Sequence, residues 1–436
     1  MGHLGRLKDE YRELLARLER GTMALPEPDD EGARRGLQEI LEILYTPEEA
    51  RLASRLPVRP ISLERLAARL GAAPDELAAR LEPMCERGVV MDLVNPRSGR
   101  RSYMLSPPVV GFFEYSLMRA KDTIPKKRMA EALHAYTRGD PAFSREAFGR
   151  DTVVGRALVH ETALGAEALP DVLGWERATE VVGGARRLAV SLCYCRHEAE
   201  HVGEACDAPM ESCLSLNGGA EFVVRRGFGR EISKAEGLDL LVRARESGLV
   251  QIADNVKSRP IFVCNCCGCC CGQLQAITRW GLPGVNPSGF APRWEGGRCA
   301  GCSRCARACP VAAIAMEPRR EAGERRNALA PRIDEARCIG CGVCATACRK
   351  GALAMARGGR PRPVPANTVE RVVRMALERN RLAELLFDEG AGRGARFLHH
   401  AVDAIARLPA AQALLATEQV RSRFVAAAVK RFGRMG

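Results

Sequence analysis

The sequence predicts an α+β protein of several domains, and three observations predict it. The chain has 436 residues, too many for one ordinary domain. Helical periodicity dominates both ends, whereas short apolar runs bounded by turn residues mark strands between them. Nineteen cysteines, all but Cys85 between residues 193 and 348, impose the geometry of metal sites on the middle. The hydrophobic share of 46% supports sizeable cores. No apolar run reaches the length of a membrane span. The first 25 residues carry Lys8, Asp9, Glu10, Arg12 and Glu13 and no apolar signal segment, so a cytoplasmic protein is expected. Thiols in that reducing compartment serve metals rather than disulfides.

Residues 1–45 read as a helical N-terminal extension. Leu4, Leu7, Tyr11, Leu14, Leu15 and Leu18 share one helix face, Leu25–Pro28 is a break, and a second helix runs from Gly32 to Tyr45. Residues 46–106 form a more distinct pattern. Helices are expected at Thr46–Leu56, Ser62–Leu70 (closed by Gly71) and Pro74–Glu86. Pro83 should kink or shorten the last. Val89–Val94 and Arg100–Leu105 alternate around Asn95-Pro96-Arg97-Ser98-Gly99 as a hairpin. Three helices followed by a hairpin resemble a winged helix–turn–helix. A DNA-reading helix needs basic or amide side chains, yet the third helix sets Asp75, Glu76, Glu82 and Glu86 against Arg80 and Arg87. Protein contact is therefore favoured over operator binding, with nucleic acid kept as the secondary partner. Cys85 in this stretch reads as a buried core thiol.

Residues 107–180 are expected to be a mostly helical connector (Val109–Arg119, Lys127–Tyr136, Thr179–Ala185). Residues 181–290 form a mixed α/β cysteine-rich domain, with strands at Leu188–Leu192 and Ile261–Val263 and a helix at Glu231–Gly248. Residues 291–357 carry the duplicated cysteine motif, and residues 358–436 a helical basic tail broken at Gly390–Gly394 and Pro409. The formal charge of +13 is concentrated late: residues 318–436 hold 23 Lys and Arg against 11 Asp and Glu. Ligating cysteines are thiolates that a neutral count ignores, so part of this excess offsets cluster charge and part suits an acidic partner. Aromatic residues, at 5%, are too few for a single-strand stacking platform.

Cys299-x2-Cys302-x2-Cys305-x3-Cys309-Pro310 is echoed by Cys338-x2-Cys341-x2-Cys344-x3-Cys348. This duplication resembles the bacterial dicluster ferredoxin domain, in which the fourth cysteine of each run ligates the other cluster. The resemblance implies two [4Fe–4S] clusters, one on Cys299, Cys302, Cys305 and Cys348, the second on Cys338, Cys341, Cys344 and Cys309. Zinc also uses paired C-x2-C motifs, but duplicated triplets with an offset fourth cysteine fit it poorly. Gly301, Gly340 and Gly342 leave backbone room near the sulfurs. Two departures, Arg349 in place of the second proline and the long Arg-rich connection Pro310–Arg337, touch potential and partner surface rather than ligands.

Ten cysteines remain: Cys193, Cys195, Cys206 and Cys213, then Cys264, Cys266, Cys267, Cys269, Cys270 and Cys271. Six thiols within eight residues would oxidise without a use, so they are candidate ligands of one or two further iron–sulfur clusters. Both groups follow short strands and are able to meet at one sheet edge. The pattern C-x-C-R-H … C-x6-C with C-N-C-C-G-C-C-C ahead of a dicluster motif resembles a family of anaerobe iron–sulfur proteins, 4Fe–4S dicluster ferredoxin-type, over about residues 180–356. That resemblance implies electron transfer and names no substrate. Cys266-Cys267-Gly268 also resembles, distantly, the CCG segments of heterodisulfide-reductase-like proteins. His197 and His201 lie at i and i+4, as ordinary polar or core histidines, with ligation or hydrogen bonds to sulfide as the alternatives. Arg196 is expected to offset cluster charge, to anchor a ligand or to form a surface salt bridge.

The leading expectation is an electron-transfer protein or oxidoreductase subunit, partnered by a ferredoxin, a flavoprotein or a larger redox complex. The alternatives are an oxidoreductase acting on a disulfide or quinone at the 193–271 cysteines, and a winged-helix redox sensor. No Rossmann fingerprint or P-loop accompanies the cysteines, and Gly218-Gly219 and Gly227-Phe228-Gly229 read as turns. No catalytic residue and no oligomeric state are assigned.

Overall fold

The computed structural model describes residues 8–95, 98–164, 172–319, 329–358 and 362–386. The chain divides into two compact units: residues up to Thr152 join those from Asn367 onward in one, and Val153–Ala366 form the other.

In the first unit, helix Glu31–Leu44 begins where Asp30 accepts the Ala33 N–H at 2.7 Å and buries Ala33, Leu37, Ile40, Leu41 and Leu44. Helix Pro47–Ala53 starts from a reciprocal capping box between Thr46 and Glu49. β1 (Ile61–Ser62) leads into helix Leu63–Leu70, which Gly71 ends in the left-handed conformation. Helix Pro74–Glu86 runs three residues past Pro83, because burial of Leu81, Met84 and Cys85 holds its last turn in place. β2 (Val90–Val94) and β3 (Arg101–Leu105) pair antiparallel, and β1 joins the outer edge of β3.

Helices Phe113–Leu117, Lys126–Gly139 and Ala142–Phe148 supply an aromatic cluster of Phe113, Tyr136, Phe143 and Phe148. The C-terminal stretch returns onto this unit. Helix Thr368–Glu378, capped by Asn367, places Glu378 to accept the Thr152 N–H at 2.9 Å. Arg379 and Arg381 both reach Glu146, at 3.3 and 2.7 Å. Burial raises the Glu146 carboxyl, but Arg381, the Ala24 N–H and Arg379 outweigh it and hold the group below its ordinary value. The expected tail beyond residue 386, with its breaks at Gly390–Gly394 and Pro409, lies outside the described residues.

The second unit is built on a six-stranded antiparallel sheet of β4 (Gly155–Ala157), β5 (Leu188–Leu192), β6 (Glu211–Leu216), β7 (Arg230–Glu231), β8 (Val250–Asp254) and β9 (Phe262–Cys266). Its order is β4-β8-β9-β6-β5-β7. The segment expected to be a mostly helical connector thus contributes a strand at β4. Successive strand residues point to opposite faces. On one face Leu188, Val190, Leu214, Leu216 and Val263 pack against helices Ala178–Gly183 and Lys234–Glu246. On the other, Val250, Ile252 and Cys266 pack against helix Gly272–Trp280 and against Val311, Ile339 and Val343 of the duplicated segment. That segment adds two antiparallel strand pairs, β10 (Phe290–Trp294) with β13 (Leu353–Arg357), and β11 (Ile314–Pro318) with β12 (Leu329–Ile333). The cysteine-rich sheet and the duplicated segment therefore share one core. Among the described residues no helix is long and apolar enough to cross a membrane.

Because Arg379 is buried against Glu146, Glu146→Gln leaves a buried guanidinium underpaired. It should destabilise the first unit by about 3 kcal/mol in denaturant unfolding. A loss below the scatter of the measurement would show that the Arg379–Glu146–Arg381 contact does not hold the returning helix.

Candidate metal centres

The strand order explains how distant cysteines meet. β5 ends at Leu192 just before Cys193, Cys213 lies on β6, and Cys264 and Cys266 lie within β9. Since β5 and β9 flank β6 and run antiparallel to it, all four belong to one end of three adjacent strands. Cys264 and Cys266 alternate with Asn265, which therefore points the other way. Fully buried there, Asn265 donates from Nδ2 to the Ser212 carbonyl at 2.8 Å and ties β9 to β6.

The ten cysteines separate into six and four. Six form a closed ring of thiol–thiol contacts: Cys193 touches Cys195 and Cys213, and Cys271 touches Cys195 and Cys266. Cys264 closes the ring between Cys213 and Cys266. The other four, Cys206, Cys267, Cys269 and Cys270, bring their sulfurs within 4.8 Å of one another. Within this set Cys206–Cys267 is 3.6 Å, Cys269–Cys270 3.7 Å and Cys206–Cys270 4.0 Å. The Cys267 thiol is pulled down to about 5 by hydrogen bonding from Cys270, against burial, with Cys269 and Arg196 adding to the effect.

Arg196 stands between the two sets at 0% exposure, which excludes a surface salt bridge. Its Nη1 donates to the Asn265 carbonyl at 3.2 Å and to Cys267 Sγ at 3.7 Å, and its Nη2 donates to Ser212 Oγ. Burial works against this charge, but the Cys193, Cys213 and Cys267 sulfurs raise the guanidinium above its ordinary value. His197 and His201 face each other, with Nε2 atoms 3.2 Å apart.

In the duplicated segment, Cys299, Cys302, Cys305 and Cys348 line a cavity of ≈ 240 Å³ with Trp294, Arg304, Arg349 and Lys350 on its walls. Cys309, though it follows the first triplet, shares a buried cluster with Cys338 and Cys341, and its charge acts on Cys344. Burial pushes Cys344 up to about 12, with the charges of Cys338 and Cys309 adding to the rise. Such a thiol ionises only against a cation. The duplication extends to the hydrogen bonds: the Ala313 N–H donates to Cys309 Sγ at 3.2 Å and the Ala352 N–H to Cys348 Sγ at 3.3 Å. Gly340 and Gly342 take φ of 69° and 83°, which β-carbon-bearing residues avoid. All-thiolate donors, main-chain N–H groups on sulfur and a lined cavity fit iron–sulfur clusters.

These features define an iron–sulfur protein with a ferredoxin-type domain. Residues 298–352 match the model of a family described as the 4Fe-4S dicluster domain. No curated protein and no solved structure matches the chain.

Sequence reasoning missed four supporting residues. Ser212 and Asn265 seat Arg196, and the only hint was a polar residue between cysteines. Gly268 lies against the Pro310 carbonyl so closely that a Cβ would collide with it. His160 gives its N–H to the Cys341 carbonyl at 2.9 Å, while its ring lies between Leu249 O (3.0 Å) and Thr346 Oγ1 (3.2 Å).

Burial pushes His160 down from 6.5 to about 4, against the Leu249 hydrogen bond, so the folded ring stays neutral while the unfolded one protonates near 6.5. The unfolded chain binds more protons between these values, so stability there rises with pH and is lost as the pH is lowered. From pH 7 to pH 5.5 the second unit should lose about 1 kcal/mol. His160→Gln should flatten that slope in denaturant unfolding, and an unchanged slope would assign it to other groups.

Proposed function

We propose that the protein carries single electrons between iron–sulfur centres and a partner protein. In this reading Cys299, Cys302, Cys305 and Cys348 hold one [4Fe–4S] cluster, and Cys338, Cys341, Cys344 and Cys309 hold a second. The six-thiol ring of Cys193, Cys195, Cys213, Cys264, Cys266 and Cys271 holds a further polynuclear cluster. Bound clusters of this kind supply one-electron redox chemistry.

The observation that carries the reading is contiguity. Cys264, Cys266 and Cys271 of the ring pack in the same core as Cys309, Cys338 and Cys341, and Gly268 touches Pro310, next to Cys309. Two of the three proposed ligand sets thus share one buried core. Exposure supplies the direction: Cys302 is exposed beside Arg349 and Lys350, whereas Cys341 and Cys344 are buried. A cationic rim around the exposed set suits an acidic redox partner.

The three helices and three strands of residues 47–105 fit a winged-helix-like module whose role is protein contact. Asp75, Glu76 and Glu86 are exposed on its third helix and would repel phosphates. Tight sequence-specific duplex binding abolished by changes at residues 74–87 would overturn that assignment.

Anaerobically purified protein should hold more iron than the roughly eight atoms two cubanes need. Cys302→Ser should remove one ferredoxin-type paramagnetic signal and leave the ring's signal in place. Gly268→Ala, which lifts the loop off Pro310, should let all centres assemble but slow electron exchange between them. Iron that stays at two cubanes' worth after full reconstitution would sink the further cluster.

A further inference from the structure

We propose that Cys206, Cys267, Cys269 and Cys270 form a tetrathiolate site for one tetrahedral metal ion, zinc or iron, and not for an iron–sulfur cluster. This inference is independent of the electron-carrier reading, which uses the other six cysteines of the region.

Distance carries the argument. An ion bound to four thiolates at about 2.3 Å sets its sulfurs on a tetrahedron with edges of about 3.8 Å. The separations of 3.6, 3.7 and 4.0 Å bracket that edge, and all four sulfurs lie within 4.8 Å of one another. A cubane cannot use such a set. Each of its four cysteines binds a different iron and points outward from the cluster, so the sulfurs stand well beyond mutual contact. The same chain shows the contrast: among the described residues no three sulfurs of the six-thiol ring, and no three of Cys299, Cys302, Cys305 and Cys348 around their cavity of ≈ 240 Å³, lie within 4.8 Å of one another.

The surroundings are built for a closed, charged centre. Four thiolates around a divalent ion leave a net charge of about −2. The buried Arg196 guanidinium opposes this charge and donates to Cys267 Sγ at 3.7 Å. The turn carrying three of the ligands is closed by the Cys271 N–H on the Cys267 carbonyl at 3.2 Å. Gln275 from helix Gly272–Trp280 fixes the same turn by donating to the Cys269 carbonyl. Cys206 comes from the loop between helix Tyr194–His201 and β6. An ion here would clamp that loop to the turn and so hold Cys195 and Cys213, on either side of the loop, in register with Cys264, Cys266 and Cys271. Four protein ligands leave no open position, as in structural sites. Soft thiolates suit zinc and iron alike.

The test uses the full chain, purified anaerobically from cells supplied with iron and zinc. Zinc, iron and inorganic sulfide are quantified in the native protein, in Cys269→Ser and in Cys302→Ser. Cys269 is exposed, so its change tests ligation with little cost to folding. Cys269→Ser should lose one equivalent of zinc, or one iron unaccompanied by sulfide, with inorganic sulfide unchanged. Cys302→Ser should leave that equivalent in place. Cobalt added to metal-stripped protein should give the absorption of tetrahedral thiolate-bound cobalt in the native chain, weakened in Cys269→Ser. Loss of iron and sulfide together in cubane proportion from Cys269→Ser would overturn the single-ion site. So would four freely reactive thiols in native protein carrying no unmatched ion.

Discussion

Gathering ten thiols at one end of a sheet is first a problem of charge. Ligating cysteines are thiolates, and thiolates packed in a dry interior repel one another unless cations stand among them. Arg196 answers part of that requirement from within. Fully buried, it reaches Cys267 directly and lies in the field of Cys193 and Cys213. Its own desolvation is offset by Ser212 and the Asn265 carbonyl, and Asn265 is in turn anchored to β6. In the proposed reading the rest of the requirement falls to metal, and the two thiol sets on either side of this side chain would fold together with their ions.

The antiparallel sheet turns this local chemistry into a connected arrangement. Pairing of β5, β6 and β9 brings cysteines up to 78 residues apart, Cys193 and Cys271, into one ring. Alternation along β9 sends Cys264 and Cys266 to the face that also receives the ferredoxin-type segment, and Asn265 away from it. One core therefore serves the ring and the buried half of the dicluster motif, and His160 fastens the Cys341 loop to the Leu249 carbonyl beside β8. The glycines at positive φ and the N–H groups on Cys309 and Cys348 repeat across the duplicated motif, as expected of two copies solving the same steric problem.

The eight ferredoxin-type cysteines were legible in the sequence because their chemistry is local. Spacing on a tight loop and the glycines between the sulfurs are properties of a few consecutive residues. Helix limits in residues 31–86 were legible for the same reason, since caps such as Asp30, Thr46 and Ser62 act within one turn. The density of thiols between 264 and 271 was likewise legible as a candidate metal region before any fold was known. Three things were decided only by tertiary structure. The division of ten cysteines into six and four depends on which strands are neighbours, and strand order leaves no trace in spacing. The sequence leaves Arg196 open between a partner of cluster charge and a surface salt bridge, and only its burial against Ser212 and Asn265, brought by β6 and β9, excludes the latter. The return of residues 368–378 to the N-terminal unit depends on Glu146, Arg379 and Arg381 meeting across more than two hundred residues, a pairing that charge complementarity permits but only packing selects.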